Sequence, residues 1–292
     1  MIDSTIIIVY EVGVHMSNKY ILNFTPTGMI PTKEMTPHIA LTPSDIIQEV
    51  LDVAALGVSM VHLHARDPET GRPTYKKEIY GEIIHGIRQR NKDLILGVST
   101  SGRDFNTFEQ RSDCLDLKGT QKPDLASLTL SSLNFNKQAS ISTPDMIQAL
   151  ADKMMKERIK PELEAFDLGM INYAKYLINK DLLKPPYYFN LILGNIACAQ
   201  ADMLHLGLMV RELPERSFWS VGGIGDSQLK MNVISIISGG GVRVGLEDNI
   251  WFDSDRSKLA TNYSLVERVV TIAKTMGFSP YSPHEAREIL QI

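Results

Sequence analysis

Residues 42–64 read TPSDIIQEVLDVAALGVSMVHLH and contain one complete step from helix to strand. Thr42 offers a side-chain oxygen to the free N–H groups of a helix start, and Pro43 suits the first turn, where its missing N–H is no loss. The pattern predicts a helix from Pro43 through Leu56 and a strand over Ser59–His64. The same alternation runs outward in both directions. Tyr20–Phe24 precedes the first helix. Downstream, apolar runs at Leu94–Val98, Leu125–Leu130, Pro161–Phe166, Tyr187–Leu193, Phe218–Val221 and Gly241–Gly245 read as strands. Helical patterns cover Lys77–Arg90, Thr143–Arg158, Gly169–Asn179, Ala199–Val210, Ser227–Ser238 and Ser257–Met276.

Eight strand–helix units in 292 residues suit an α/β fold of the (β/α)8 TIM-barrel type, typically about 250 residues long. An open doubly wound sheet is the competing architecture. No linker composition divides the chain, so residues 1–292 are expected to form a single domain. Residues 1–18 precede the first barrel strand and are expected to form a short N-terminal β extension or plug.

Composition narrows the function. With 43% hydrophobic and 22% charged residues, general disorder is excluded. Thirty basic residues against 34 acidic ones imply no broad basic surface, which points away from nucleic acid. Two cysteines, Cys114 and Cys198, make no disulfide framework. The run Ile6–Tyr10 lacks a basic flank and a cleavage site, and no stretch approaches the ~20 apolar residues that span a bilayer. A soluble, cytoplasmic protein with no membrane partner is the expectation.

In a barrel, chemistry sits at the C-terminal ends of the strands. Strand two ends in His62-Leu63-His64, and residues i and i+2 of a strand share a face about 6–7 Å apart. Both imidazoles should therefore point into the barrel mouth, where they could converge on a cation; the bland reading is two satisfied polar histidines. Glu247, just past strand eight, is the candidate third ligand, although Glu247-Asp248-Asn249 also reads as a polar turn. Two His and a carboxylate leave a coordination position open, as in catalytic zinc sites. Ser99-Thr100-Ser101-Gly102 after strand three could hold an anion or be a plain turn. Glu162 and Glu164 share a face of strand five, where charge is costly unless paired or functional. Ser127 and Thr129 share a face of strand four, and Gly222-Gly223-Ile224-Gly225 occupies the place of a phosphate loop or of a tight turn.

The segments His62–Pro68, Gly71-Arg72-Pro73, Ser99–Gly102 and Val242–Asn249 resemble the β-keto acid cleavage enzyme family from about Leu22 to Leu290. The resemblance implies a metal-dependent (β/α)8 barrel, usually a homotetramer, that condenses a β-keto acid with acetyl-CoA to give acetoacetate and a new acyl-CoA. By the same resemblance His62, His64 and Glu247 are the zinc ligands and Ser99, Gly102 and Ser127 bind substrate. Glu164 is an acidic residue of the pocket, and Arg243 and Asp248 form the catalytic pair. Two positions depart from the pattern. Ile30 stands where the type enzyme has a substrate-binding Glu, and the run Gly239–Gly241 has Gly where many members carry a His. Zinc would act as a Lewis acid on a chelated β-keto acid, with Asp248 as base and Arg243 to orient it. His₂Glu also tolerates other transition metals.

Three rivals stand beside this reading. An amidohydrolase-type hydrolase needs further histidines on strands five and six, and those runs contain none. A metal-dependent aldolase shares the carbonyl polarisation. A non-enzymatic ligand-binding barrel would bind no transition metal. The particular β-keto acid is not legible at this level.

Overall fold

The computed structural model describes residues 18–292. The expected extension over residues 1–18 falls, apart from Asn18, outside the described residues. Eight parallel strands close into a barrel: β1 (Leu22–Phe24), β2 (Met60–Leu63), β3 (Ile95–Val98), β4 (Leu125–Thr129), β5 (Lys160–Ala165), β6 (Tyr187–Leu193), β7 (Ser217–Gly223) and β8 (Gly241–Val244). Each pairs with its chain neighbour, and β8 returns to β1 through Val242 with Leu22, Arg243 with Asn23 and Val244 with Phe24. Closure removes the open edge that a doubly wound sheet would keep. The TIM-barrel expectation holds.

Helices α1 (Pro43–Ala54), α2 (Lys77–Arg88), α3 (Phe108–Ser112), α4 (Pro144–Glu157), α5 (Leu168–Asn179), α6 (Met203–Arg211), α7 (Gln228–Ile237) and α8 (Asn262–Thr275) follow their strands in turn. The Thr-Pro starts work as read: Thr42 accepts from the Asp45 amide and Thr143 from that of Met146. Helix α1 buries Ile46, Val50 and Val53, one stripe at helical spacing against the barrel.

Several boundaries differ from the sequence reading. The third unit, for which the sequence reading gave no helix, has the five-residue α3 and two 3₁₀ turns. The sixth helix starts at Met203, where Asp202 caps it, not at Ala199. The last long helix starts at Asn262, after a capping box of Thr261 and Ser264, and not at Ser257. Ser257 instead bonds Asp253, in a loop over the barrel mouth pinned by a bridge between Trp251 and Leu259.

A ninth helix, α9 (Pro283–Leu290), was not anticipated, although Ser282-Pro283-His284-Glu285 is a capping-box signature. Its Ala286 and Leu290 close the base of the barrel against Ile21, Met60, Ile95, Leu125 and Tyr188. The interior is thus apolar below. One pleat period higher, Met60 gives way to His62 and then His64, so polarity rises toward the mouth. Among the described residues no helix is long and apolar enough to cross a membrane.

Candidate active site

The strand parity brings the sequence-predicted ligands together. One donor atom each from His62, His64 and Glu247 lies within 4.8 Å of the others, although Glu247 is 183 residues from His64. The two Nε2 atoms are 3.1 Å apart, His64 Nε2 is 3.1 Å from Glu247 Oε1, and His62 Nε2 is 3.9 Å from that oxygen.

The far side of His62 explains its orientation. Its Nδ1 lies 2.6 Å from Glu162 Oε2, which accepts, so Nδ1 keeps its proton, and Nε2 is the nitrogen that faces the cluster and carries the lone pair once the ring is neutral. Glu162 is itself held from behind. Asn23 donates to its Oε1 across 2.7 Å, and Asn190 donates to the same oxygen. Glu162 was singled out in the sequence only as a buried charge. Its parity with Glu164 was the available signal for a role behind a ligand.

Electrostatics follow from this crowding. Burial opposes protonation of His62, but Glu162 and Glu247 outweigh it and raise its pKa to about 9. Burial pushes His64 down to about 4. Burial also works against the Glu247 carboxylate, yet Arg243 and the two histidines hold it well below the usual range. These three residues fit a metal. Their donor atoms converge, the Glu247 Oε2 atom is buried without a hydrogen-bond partner, and the donor set is one that zinc favours.

Arg243 sits beside this cluster, fully buried on β8. Its Nη2 donates to Glu247 Oε1 at 2.7 Å and its Nε to Asp248 Oδ2 at 2.8 Å. Nη1 has no hydrogen-bond partner and lies 3.9 Å from Glu164 Oε1. Burial pushes the Asp248 carboxyl up; Arg243 pulls it back, and the neighbouring Glu247 charge adds to the rise. Glu164 is raised by burial and accepts from Thr129 Oγ1 at 2.7 Å.

Part of this cluster borders a cavity of about 520 Å³ at the barrel mouth, whereas His62 and Glu162 are buried outside its lining. Of the residues expected around substrate, Ser99, Glu164, Arg243 and Asp248 line it, as do His64, Glu247 and Ile30. Ser127 and Gly102 do not. Ser127 is buried one pleat lower, where its hydroxyl accepts from the Thr100 amide; Thr129 presents the β4 hydroxyl to the cavity. At Gly102 an added Cβ would lie 2.3 Å from the Ile141 carbonyl oxygen, so glycine there allows two loops to touch. Ile224 and Gly225 form part of the wall, so the loop after β7 is a cavity border.

Arg66 is a positioning residue that the sequence reading passed over. It is buried, and its guanidinium donates to the carbonyls of Gly28, Gly71 and Pro31, each at 3.0 Å. The loop carrying Ile30 is thereby fixed over Glu247. Gly28 completes the contact: its φ is +66°, and a Cβ there would stand 2.5 Å from Glu247 Cγ. The extra histidines of an amidohydrolase-type site are missing from β5 and β6.

Comparisons with known proteins bear on the fold and the family. Apo ObcA superposes with a TM-score of 0.78 at 20% identity over 88% of this chain, which spans 66% of that protein, and the likeness supports the fold. The 3-keto-5-aminohexanoate cleavage enzyme of Fusobacterium nucleatum is 35% identical, covering 95% of this chain and 99% of the relative. The 3-oxoadipate:acetyl-CoA acetyltransferase of Cupriavidus necator is 31% identical over 94% of this chain and 95% of its own. The 3-dehydrocarnitine:acetyl-CoA trimethylamine transferase of Rhizobium meliloti is 30% identical over 95% and 98%. The model of the beta-keto acid cleavage enzyme family matches residues 19–292, nearly the whole described chain. The chain belongs to the β-keto acid cleavage enzyme family.

Proposed function

We propose that this protein is a zinc-dependent acyltransferase that condenses a β-keto acid with acetyl-CoA, giving acetoacetate and a new acyl-CoA. The observation that carries the reading is the meeting of His62, His64 and Glu247 beside the Arg243–Asp248 pair, at one end of a cavity in a chain of this family.

The exchange balances as follows. The bond between C2 and C3 of the β-keto acid breaks, its R–CO group passes to CoA sulfur, and the acetyl group joins the CH2–COO⁻ fragment. A base must first take a proton from C2, and a proton must be returned before the product leaves. Asp248 holds that proton. Its two oxygens face Arg243 at 2.8 and 3.3 Å, so the carboxylate cannot turn away, and burial raises its basicity. Arg243 offsets the negative charge that grows near Asp248 and Glu247. Its unpartnered Nη1 is a donor for the substrate's own oxygen. Thr129 and Glu164 supply further polar contacts on the opposite wall. Zinc on His62, His64 and Glu247, when bound, supplies Lewis-acid polarisation of the keto group.

The test is to incubate the metal-loaded protein with acetyl-CoA and a panel of β-keto acids and to follow acetoacetate. Acetoacetate that requires both substrates supports the reading. Metal-loaded protein that forms none with any of them defeats it.

A further inference from the structure

The cavity contains an arginine that the catalytic cluster does not use. Arg103 follows Gly102 and lies on the cavity wall. The other arginines there are tied down: Arg243 to Glu247 and Asp248, Arg256 to Asp226. Arg103 has no carboxylate within ion-pair distance among the described residues, and its Nε is buried without an acceptor. Among the described residues the close partner of its guanidinium is apolar. The guanidinium carbon stands 3.7 Å from the centre of the Phe135 ring.

Stacking on an aromatic face engages one face of the guanidinium. It leaves the N–H fork without acceptors in a place where burial disfavours the charge. Burial lowers the Arg103 pKa, while Glu247, Asp104, Glu164 and Asp248 act in the other direction from longer range. A fork fixed in plane by a ring, facing a cavity, is pre-organised for two parallel hydrogen bonds to a carboxylate or phosphate. Lys137, two residues from Phe135, adds a second positive group to the same wall. Met29, Ile30, Ile192 and Trp251 supply apolar lining.

We propose that Arg103 is the receptor for an oxyanion that a substrate carries remote from its reacting carbonyl. The inference rests on the function proposed above for the identity of the reaction. Two groups have the required chemistry: the terminal carboxylate of a dicarboxylic β-keto acid, and a phosphate of CoA.

The experiment compares wild type, Arg103→Met and Arg103→Lys with 3-oxohexanoate and 3-oxoadipate, each with acetyl-CoA and with S-acetylpantetheine, which has no phosphate. If the partner is the tail carboxylate, Arg103→Met lowers kcat/KM for 3-oxoadipate by about tenfold to a hundredfold with either thioester. The value for 3-oxohexanoate then stays within about twofold. If the partner is phosphate, the loss affects both keto acids with acetyl-CoA, appears as a raised KM for acetyl-CoA, and vanishes with S-acetylpantetheine. Arg103→Lys retains part of the effect in either case, since charge remains and the fork is gone. Equal losses in all four combinations, or none, overturn the proposal and leave Arg103 as packing for Phe135. Should wild type turn over neither keto acid, the panel experiment above decides the functional reading, and Arg103 is judged separately by calorimetry with adipate, hexanoate and adenosine 3′,5′-bisphosphate. Binding of adipate or of the bisphosphate that disappears in Arg103→Met supports the receptor; no binding of either to wild type overturns it.

Discussion

Glu162 on β5 and His62 on β2 are three strands apart around the barrel, yet their side chains meet at 2.6 Å, Nδ1–H to Oε2. This contact determines which nitrogen of His62 is left to bind a metal. Replacing Glu162 by Gln keeps the size and removes the charge, so His62 loses its strongest acceptor. Metal affinity should fall about 10–100-fold, as for other partners standing behind metal-bound histidines. Competition with a fluorescent chelator measures it; unchanged affinity would mean that packing alone orients the ring.

His62→Ala, His64→Ala and Glu247→Ala should each lose metal while the barrel remains folded, because the apolar base and outer core lie elsewhere. Chelation of the wild type should lower Tm, since a ligand that binds only the folded state stabilises it. Elemental analysis and circular dichroism check both points. Full occupancy in His62→Ala would remove that residue from the ligand set.

Asp248→Asn should retain metal and lose about 10²–10⁴-fold in turnover, because the amide matches the carboxylate in shape and cannot accept the C2 proton. Near-normal turnover would assign the base elsewhere, with Glu164 the next carboxylate on the cavity wall.

Gly28→Ala places a Cβ where φ is +66° and where Glu247 Cγ would be 2.5 Å away. The expected destabilisation is about 1–3 kcal/mol, accompanied by weaker metal retention as Glu247 is displaced. Denaturant melts with metal analysis read both. Loss of stability with metal binding intact would separate the loop from the site.

Ile30 borders the cavity on the loop that Arg66 clasps. A cationic amine beside it would lose hydration and find no partner, a cost of about 1–3 kcal/mol or more. Neutral 3-oxopentanoate or 3-oxohexanoate should therefore show higher kcat/KM than 3-keto-5-aminohexanoate, and Ile30→Glu should narrow the gap. A wild-type preference for the amine would give the recognition to Glu164.

Much of this was legible before any coordinates. Period-two parity put His62 and His64 on one face, and the Thr-Pro starts marked α1 and α4. The strand count indicated the barrel, and the Glu247 position followed from where strand eight ends. What escaped reading depended on distance in space. Thr129 outranks Ser127 at the cavity because of how far up β4 each lies, and alternation says which face a residue takes but not its height. Arg66 looked like one more polar residue after His64, because its three acceptors are backbone carbonyls that carry no sequence identity. Arg103 is conspicuous only once its lack of a carboxylate is seen, and a missing partner leaves no mark in a sequence. Helix α9 is a different case. Its capping box was readable, and an end-of-chain segment was simply passed over.

The pairing of β8 with β1 also sets an order of events in time. During synthesis His62 and His64 emerge from the ribosome well before Glu247, and between them and that carboxylate lie six more barrel strands. Until β8 docks beside β1 there is no third donor, and neither Arg243 nor Asp248 is in place. A nascent or truncated chain without β8 therefore presents two of the three clustered donors and neither Arg243 nor Asp248. The cluster is completed only by the strand that closes the ring.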